Sequence, residues 1–489
     1  MQILIVSSGV FLSALDVSVN VALPKISSYF NSPPNVVYLM IVFYLSTTVA
    51  LQLPLGKAGD IIGLRKVFVF GLLAYTLSMI AIGLAPSIGT VIIFRIFQAF
   101  GNASLLAIAP ALVTSMVTPE IRGRSLGIMT SIGSVGMITG TLFAGLTLEY
   151  FSWEWIFLGR VPLCLIALIG SLTLLKGIGV QLKSNLLKEN TYDWLGAFLL
   201  FLGLISLVTI FQRGSSQGYL RAEIILLLVI FLAAVKLFIF RQKTTDNPLI
   251  DLALTKNTVL VSGFLSNLFF FMGSFINFFI LPYYVGTILE SPDLVLAMFL
   301  FINALAIFIF APIGGYVSDK IGSPIVSLIG LSIVSCTLLT YLSLDGDSNT
   351  FEIAIRIGFV GLGTGLFQSS NLNLVMGTIK VREFGSGGAI SSISRGLGCV
   401  ASVTLLGGAF TSLYESTVSD VDILDALSSP NSVDAFIFSY HVSYAIGAAI
   451  VGLSIVFTMI AWRSMKKSES RIDYKHIDCN NLKTNRKEL

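Results

Sequence analysis

Charge is scarce in this sequence. Asp, Glu, Lys and Arg together make up 11% of its 489 residues, against roughly 25% in soluble domains. That supply of ionised side chains cannot cover a water-soluble fold, so soluble enzymes and soluble binding modules are excluded. Cysteine is equally sparse. Cys164, Cys336, Cys399 and Cys479 are scattered without disulfide or metal-cluster spacing, and three of them lie in apolar runs, where cysteine acts as a small hydrophobe. A phosphate-binding loop is missing too. Gly361-Leu362-Gly363-Thr364-Gly365 is glycine-rich, but it sits in an apolar run and lacks the lysine of such a loop. No catalytic triad is legible, no metal or cofactor is expected, and the chain is not read as an enzyme. A net charge of +4 gives no reason to invoke nucleic acid.

Apolar length is what the sequence has. Hydrophobic residues make up 55% of it, with 36 Phe and 44 Gly, and the mean hydropathy is +0.89. About 20 apolar residues cross a bilayer. On that rule fourteen spans are predicted, at 2–24, 36–56, 66–85, 89–117, 125–147, 156–175, 193–212, 222–240, 258–285, 293–316, 323–343, 351–377, 387–412 and 436–462. Ala85-Pro86-Ser87-Ile88-Gly89 is the turn that divides the third span from the fourth. The predicted fold class is an all-α polytopic membrane protein. No basic segment or clear cleavage site marks the first run, so it reads as a span and not a leader; a few residues ahead of it are expected to be missing.

Basic residues fall in alternate loops. Lys57, Arg65, Lys66, Arg122, Arg124, Lys176, Lys183, Lys188, Arg241, Lys243, Lys256, Lys320, Lys380 and Arg382 share one side, and Arg463, Lys466 and Lys467 follow the last span. The other side holds Lys25, Arg213 and Arg221, with Glu149, Glu154, Glu290, Asp293, Asp345, Asp347 and the acidic loop from Glu415 to Asp434. The first side is expected to be cytoplasmic. An even number of spans puts both termini there, in a multi-pass cell-membrane protein.

Two loops repeat one pattern. Gly56-Lys57-Ala58-Gly59-Asp60-Ile61-Ile62-Gly63-Leu64-Arg65-Lys66 follows the second span, and Gly315-Tyr316-Val317-Ser318-Asp319-Lys320-Ile321-Gly322 follows the tenth. Arg122-Gly123-Arg124-Ser125-Leu126-Gly127 has a fainter echo in Arg382-Glu383-Phe384-Gly385-Ser386-Gly387. Repeated halves are a common transporter plan. On that plan residues 1–175 form a six-helix bundle and 251–465 a second, related by a pseudo-two-fold axis. Residues 176–250 are a linker with two inserted helices, and 466–489 a disordered cytoplasmic tail. The loop glycines allow tight closure, with Asp60 facing a neighbouring helix end or Arg124. The competing reading is a plain positive-inside loop.

Asp16 stands alone among apolar neighbours in Leu15-Asp16-Val17-Ser18-Val19-Asn20-Val21-Ala22-Leu23-Pro24. A carboxylate inside a span is costly unless it pairs or faces a water-filled path. Arg95 is the expected partner. A nearby cation favours the charged carboxylate and burial the neutral one, so alternating water access would make the pair a proton switch. A static ion pair locking two helices is the alternative.

With these motifs stated, the chain resembles the major facilitator superfamily, and within it the fourteen-span drug:proton antiporter branch. The 56–66 loop looks like the family's signature loop, and its second copy has Ser323-Pro324 where a basic pair is usual. Asp16 to Pro24 is similar to the branch's first-span motif. Arg95-Ile96-Phe97-Gln98-Ala99-Phe100-Gly101 resembles the fourth-span motif, whose Arg is linked to proton transfer. Gly127, Gly136, Gly140 and Gly145 fit the fifth-span antiporter glycines, with Thr141 in place of the usual proline. Trp153-Glu154-Trp155-Ile156-Phe157-Leu158-Gly159-Arg160-Val161-Pro162 resembles the entry to span six, with Glu154 and Arg160 replacing Arg and Asn. The resemblance implies proton-coupled efflux of small amphipathic compounds or drugs. Export of a specific metabolite, siderophore or peptide is the nearest rival; a receptor without transport, or a membrane enzyme, is the rival from another class. The expected partners are a small-molecule substrate, the proton and the lipid bilayer, and the expected state is a monomer.

Candidates for the cavity are Gln98, Asn267, Phe271, Asn277 and Arg395. The aromatic run Phe269-Phe270-Phe271, with Phe275, Phe278, Phe279, Tyr283 and Tyr284, would line a greasy pocket suited to amphipathic or cationic compounds, or else face lipid. Arg395 lies deep and faces either the cavity or a packed neighbour. Arg160 and Arg356 are expected to snorkel to the outer interface, with Glu352 the partner of Arg356. His441 is read as structural.

Overall fold

Fourteen helical segments are long and apolar enough to cross a bilayer. The computed structural model describes residues 1–177, 192–217, 221–245, 247–249, 254–346, 348–418 and 430–484. Numbered in chain order, the spans are α1 (Gln2–Tyr29), α2 (Val36–Ile62), α3 (Leu64–Gly83), α4 (Ile88–Met116), α5 (Pro119–Tyr150), α6 (Trp155–Leu174), α7 (Trp194–Phe211), α8 (Ala222–Thr244), α9 (Thr258–Ile288), α10 (Leu294–Ile321), α11 (Ser323–Ser343), α12 (Thr350–Thr378), α13 (Val381–Thr417) and α14 (Ser432–Lys467). Each coincides with a run predicted from apolar length, and no strand occurs among the described residues. The 85–89 turn stands where expected, with Ser87 capping α4 by accepting the Thr90 N–H at 3.3 Å.

Lys183, Lys188, Asp347 and residues 419–429 of the acidic loop lie outside the described residues. The helix that carries α14 runs on to Thr484, so the 466–484 part of the tail is helical where disorder was expected. Extending an existing helix costs far less than nucleating one. The end of the tail, 485–489, is outside the described residues.

Two buried apolar clusters organise the packing. One gathers side chains from α1 to α6, Val6 through Leu175, and reaches across to Leu260, Val375 and Ala389. The other, from Phe270 to Val451, is built only from α9 to α14. The helices between them cross in matched pairs: α5 packs on α10 and α12, while α13 packs on α2 and α4. The hairpin α7–α8 packs on itself and leans on α2. Asp193 anchors it, accepting from Arg241 Nε at 3.0 Å, Gln242 Nε2 at 3.1 Å and the Gly196 N–H at 3.0 Å.

Glycine sets how closely the crossing helices approach. A Cβ on Gly136 would stand 2.6 Å from the Phe11 carbonyl oxygen, and one on Gly140 would stand 2.9 Å from that of Leu15. Gly127 faces the Ala311 carbonyl in the same way, whereas Gly145 has nothing within 4 Å. Three of the four glycines are therefore contact points, two against α1 beside Asp16 and one against α10. Gly136→Ala is expected to lower the unfolding temperature of the purified protein, because overpacking costs about 1–3 kcal/mol. Gly145→Ala should leave it unchanged. Equal melting of the two variants would reduce the pattern to composition.

Candidate functional site

The helix of α1 does not run straight through Asp16. A tighter 3-10 turn over Leu15–Val17 separates the helix ending at Ala14 from the one starting at Ser18. The break sets the carboxylate towards α4 and α6 with its side chain 8% exposed. Gln98 donates from Nε2 to both Asp16 oxygens, at 3.0 and 3.2 Å. The Tyr44 hydroxyl of α2 donates to Oδ2. Arg160 Nη1 stands 2.6 Å from Oδ1, and Arg160 Nη2 donates to the Ser18 hydroxyl.

Arg95 is close, as expected, but it is not the nearest partner. Its Nη1 is 3.8 Å from Asp16 Oδ1 and 2.6 Å from Gln98 Oε1, so Gln98 bridges the pair. Its guanidinium also lies over the Tyr44 ring at 4.3 Å. The expectation that Arg160 snorkels outward is corrected. Its side chain is 1% exposed, because it lies in the first turns of α6, within reach of the kink, and finds Asp16 there. Sequence reasoning missed Arg160, Tyr44 and Ser18. A signal existed for Arg160: an arginine in an apolar run needs a carboxylate, and Asp16 is the acid most deeply set in the first-half spans. Glu149 is exposed, and Glu352 pairs with Arg356 at 3.5 Å while remaining 58% exposed. That pair matches the expectation.

Each of the two repeated loops meets a helix start of the opposite half. Gly63 and Gly322 terminate α2 and α10 at φ of 107° and 97°, a conformation that favours glycine. Each loop aspartate caps a helix of the opposite half. Asp60 accepts from the N–H groups of Gly385 and Ser386 at 2.7 and 2.9 Å and from the Ser386 hydroxyl at 2.6 Å. Asp319 accepts from the N–H groups of Gly123 and Arg124 at 2.8 and 2.9 Å, and from Asn373 Nδ2 at 3.2 Å. Negative charge at a helix N-terminus is favourable. Of the two expected partners for Asp60, a neighbouring helix end and Arg124, it meets the helix end; Arg124 serves the other aspartate, through its backbone N–H, and its side chain is exposed. Gly56 faces the Gly385 carbonyl and Gly315 that of Gly123; both approaches exclude a side chain. Arg65 donates to the Leu172 carbonyl at 2.8 Å, tying α3 to the end of α6. Lys66 is exposed beside it.

A cavity of about 480 Å³ lies between the halves. Asp16, Tyr44, Arg95, Asn267, Phe271 and Arg395 are among the residues that line it. Gln98 sits behind that wall in the Asp16 network. Asn277 is turned instead towards α14, where it accepts from the Tyr444 hydroxyl at 3.1 Å. Of the phenylalanine triplet only Phe271 reaches the cavity, joined by Phe275 and Phe278. Phe269 stacks on Phe457 and Phe270 packs on Phe367, at 5.4 and 4.3 Å between centroids. His441 Nε2 lies 2.7 Å from the Leu344 carbonyl oxygen, a packing contact.

The arrangement is a central cavity beside a buried ionisable cluster, closed at one end by reciprocal helix caps. Comparison with known proteins bears on it directly. The Major Facilitator Superfamily model matches residues 6–246 and 263–478. Among curated relatives, riboflavin transporter RibZ of Clostridioides difficile is 26% identical over 96% of this chain and 98% of that protein. Multidrug resistance protein Stp of Mycobacterium tuberculosis is 24% identical over 84% of this chain and 75% of its own length. In fold, the chain is similar to the human organic anion transporter MFSD10, with a TM-score of 0.65 at 13% identity, covering 93% of this chain and 98% of that one. It is also similar to the proton:xylose symporter XylE, with a TM-score of 0.61 at 14% identity over 94% of each chain.

Proposed function

The chain belongs to the major facilitator superfamily, it is a transporter and not an enzyme, and from that premise we propose that it exchanges protons for small amphipathic molecules, carrying the latter out of the cell. One observation carries the proton part: a single buried carboxylate ties together α1, α2, α4 and α6 through Tyr44, Gln98 and Arg160. Protonation removes the negative charge that holds these donors, and leaves Arg95 and Arg160 without their counter-ion. Opening one side brings water to the carboxyl group from that side alone, so the proton is taken up or released there. Three of these helices, α1, α2 and α4, also line the cavity, which is how occupancy of one site reaches the other. The halves then rock about the cavity, and the Asp60 and Asp319 caps, placed on the cytoplasmic side by the basic loops, close that side.

The names of the relatives support the substrate part. Proteins called multidrug resistance and riboflavin transporters match most of this chain, and the cavity has phenylalanine walls with polar groups among them. The test is proton flux in vesicles containing the purified protein and an internal pH dye. A panel that includes riboflavin should contain compounds that dissipate an imposed pH gradient, in proportion to their own movement. Compound movement with no accompanying proton flux would overturn the exchange.

A further inference from the structure

The charges on the cavity wall are unbalanced. Asp16 is its single acid, and Arg95 and Arg395 are its bases. Asp16 is already engaged by Arg160 at 2.6 Å, so it has no charge to spare for α13. Among the described residues no carboxylate pairs with Arg395; the ion pairs found join Asp16 to Arg95 and Arg160, Asp193 to Arg241, and Glu352 to Arg356. Its neighbours on the wall, Asn267, Ser391 and Cys399, are neutral. A guanidinium without a counter-ion is expensive inside a membrane, and its planar fork matches carboxylate and sulfonate oxygens.

The wall has a second, independent want. The carboxamide oxygens of Gln52, Asn102 and Asn371 are buried and accept no hydrogen bond, yet all three residues border this cavity. Orphaned buried acceptors of this kind are costly, and a ligand bearing N–H or O–H groups relieves them once these carboxamides turn towards the cavity. Phe271, Phe275 and Phe278 supply an apolar wall.

We propose that the cavity takes an amphipathic organic anion, with its carboxylate or sulfonate on Arg395, its hydrogen-bond donors on the Gln52, Asn102 and Asn371 oxygens, and its ring system against the phenylalanines. This rests on the transport reading and narrows it: the aromatic run alone pointed equally to cationic compounds, which Arg395 repels. The substrate's charge is thereby assigned to the half of the molecule that does not hold the proton.

Two dyes built on one ring system test it. Carboxyfluorescein is an anionic xanthene and rhodamine 6G a cationic one. Each is titrated by fluorescence anisotropy against the purified full chain in lipid nanodiscs, with no gradient present. The anion should bind at least about tenfold tighter, in line with one charge-assisted contact. Arg395→Gln should erase that preference, and Arg395→Lys should keep part of it, since the charge survives and the fork does not. Equal binding of the dyes, preference for the cation, binding of neither, or an anion affinity unmoved by Arg395→Gln would each overturn the proposal. Should Arg395→Gln fail to fold, an Arg395→Lys variant with unchanged anion affinity would overturn it. Because the readout is equilibrium binding, its failure leaves proton exchange standing, and loss of proton flux leaves it untouched.

Discussion

Asp16→Asn will abolish uphill, proton-driven transport while leaving ligand binding measurable. Asparagine has the shape of the protonated carboxyl group and can still accept from Arg160 or Gln98 on its one oxygen, but it cannot release a proton. Stability will fall as well. Asp16 is the counter-ion of two arginines whose side chains are 2% and 1% exposed, and breaking a buried pair from one side costs about 3–5 kcal/mol. Lost activity therefore has to be separated from lost folding. Adding Arg160→Met to Asp16→Asn removes one stranded charge and should recover part of the melting temperature without recovering proton-driven transport. Arg95→Ala should also damage coupling, and less severely, since Gln98 stands between it and the carboxylate. Full proton-driven transport by Asp16→Asn would move the proton site elsewhere.

The second large effect concerns the caps. Asp60 receives three hydrogen bonds across the line between the halves, and Asp319 two across it and a third, from Asn373, within its own half. Hydrogen bonds to a charged acceptor contribute about 1.5–3 kcal/mol each, while about 5.5 kcal/mol carries a two-state equilibrium from 1:99 to 99:1. Either cap alone can hold the closed state, and loss of both cannot be made up. Asp60→Ala and Asp319→Ala should each slow transport roughly tenfold, and the double variant should fall to background. Asp60→Asn should be milder than Asp60→Ala, because one acceptor oxygen remains. The conformational readout is thiol labelling of Ser392→Cys in a cysteine-free background. Ser392 is buried and bonds the Leu106 carbonyl at 2.8 Å, between α13 and α4, so it should label faster in the double variant. Unchanged labelling and unchanged transport would reduce the loops to topology signals.

The spans were legible because apolar length is a property of one segment at a time. Asp16 was legible for the same reason, as a charge that its surroundings do not tolerate. Its partners were not. Arg160 lies 144 positions away, and the sequence places it only in the first turns of the sixth span, with nothing to say which helix it faces. The partners of Asp60 and Asp319 are backbone N–H groups, which carry no residue signature beyond glycine and serine at a helix start. The aromatic triplet shows where a rule in hand went unused. Consecutive helical residues point about 100° apart, so Phe269, Phe270 and Phe271 could never all face one cavity. Asn277 followed the same pattern of error, being polar in an apolar run and satisfied by Tyr444 on the next packed helix.

The imbalance of guanidinium over carboxylate around the cavity has an electrical consequence. Moving one elementary charge through a potential of 100 mV is worth about 2.3 kcal/mol. Arg95, Arg160 and Arg395 outnumber Asp16, so an empty transporter whose cavity switches sides carries positive charge across the field, and the negative side of the membrane draws it. A proton on Asp16 strengthens that pull, and an anion on Arg395 weakens it. Under the exchange proposed above, the proton-loaded protein returns towards the negative side with all three guanidinium charges uncompensated, and the loaded one departs with two of the three balanced, by Asp16 and the anion, so the cycle as a whole runs downhill in voltage. Exchange by this protein would then register as a current, larger in energised membranes than a pH gradient alone could drive.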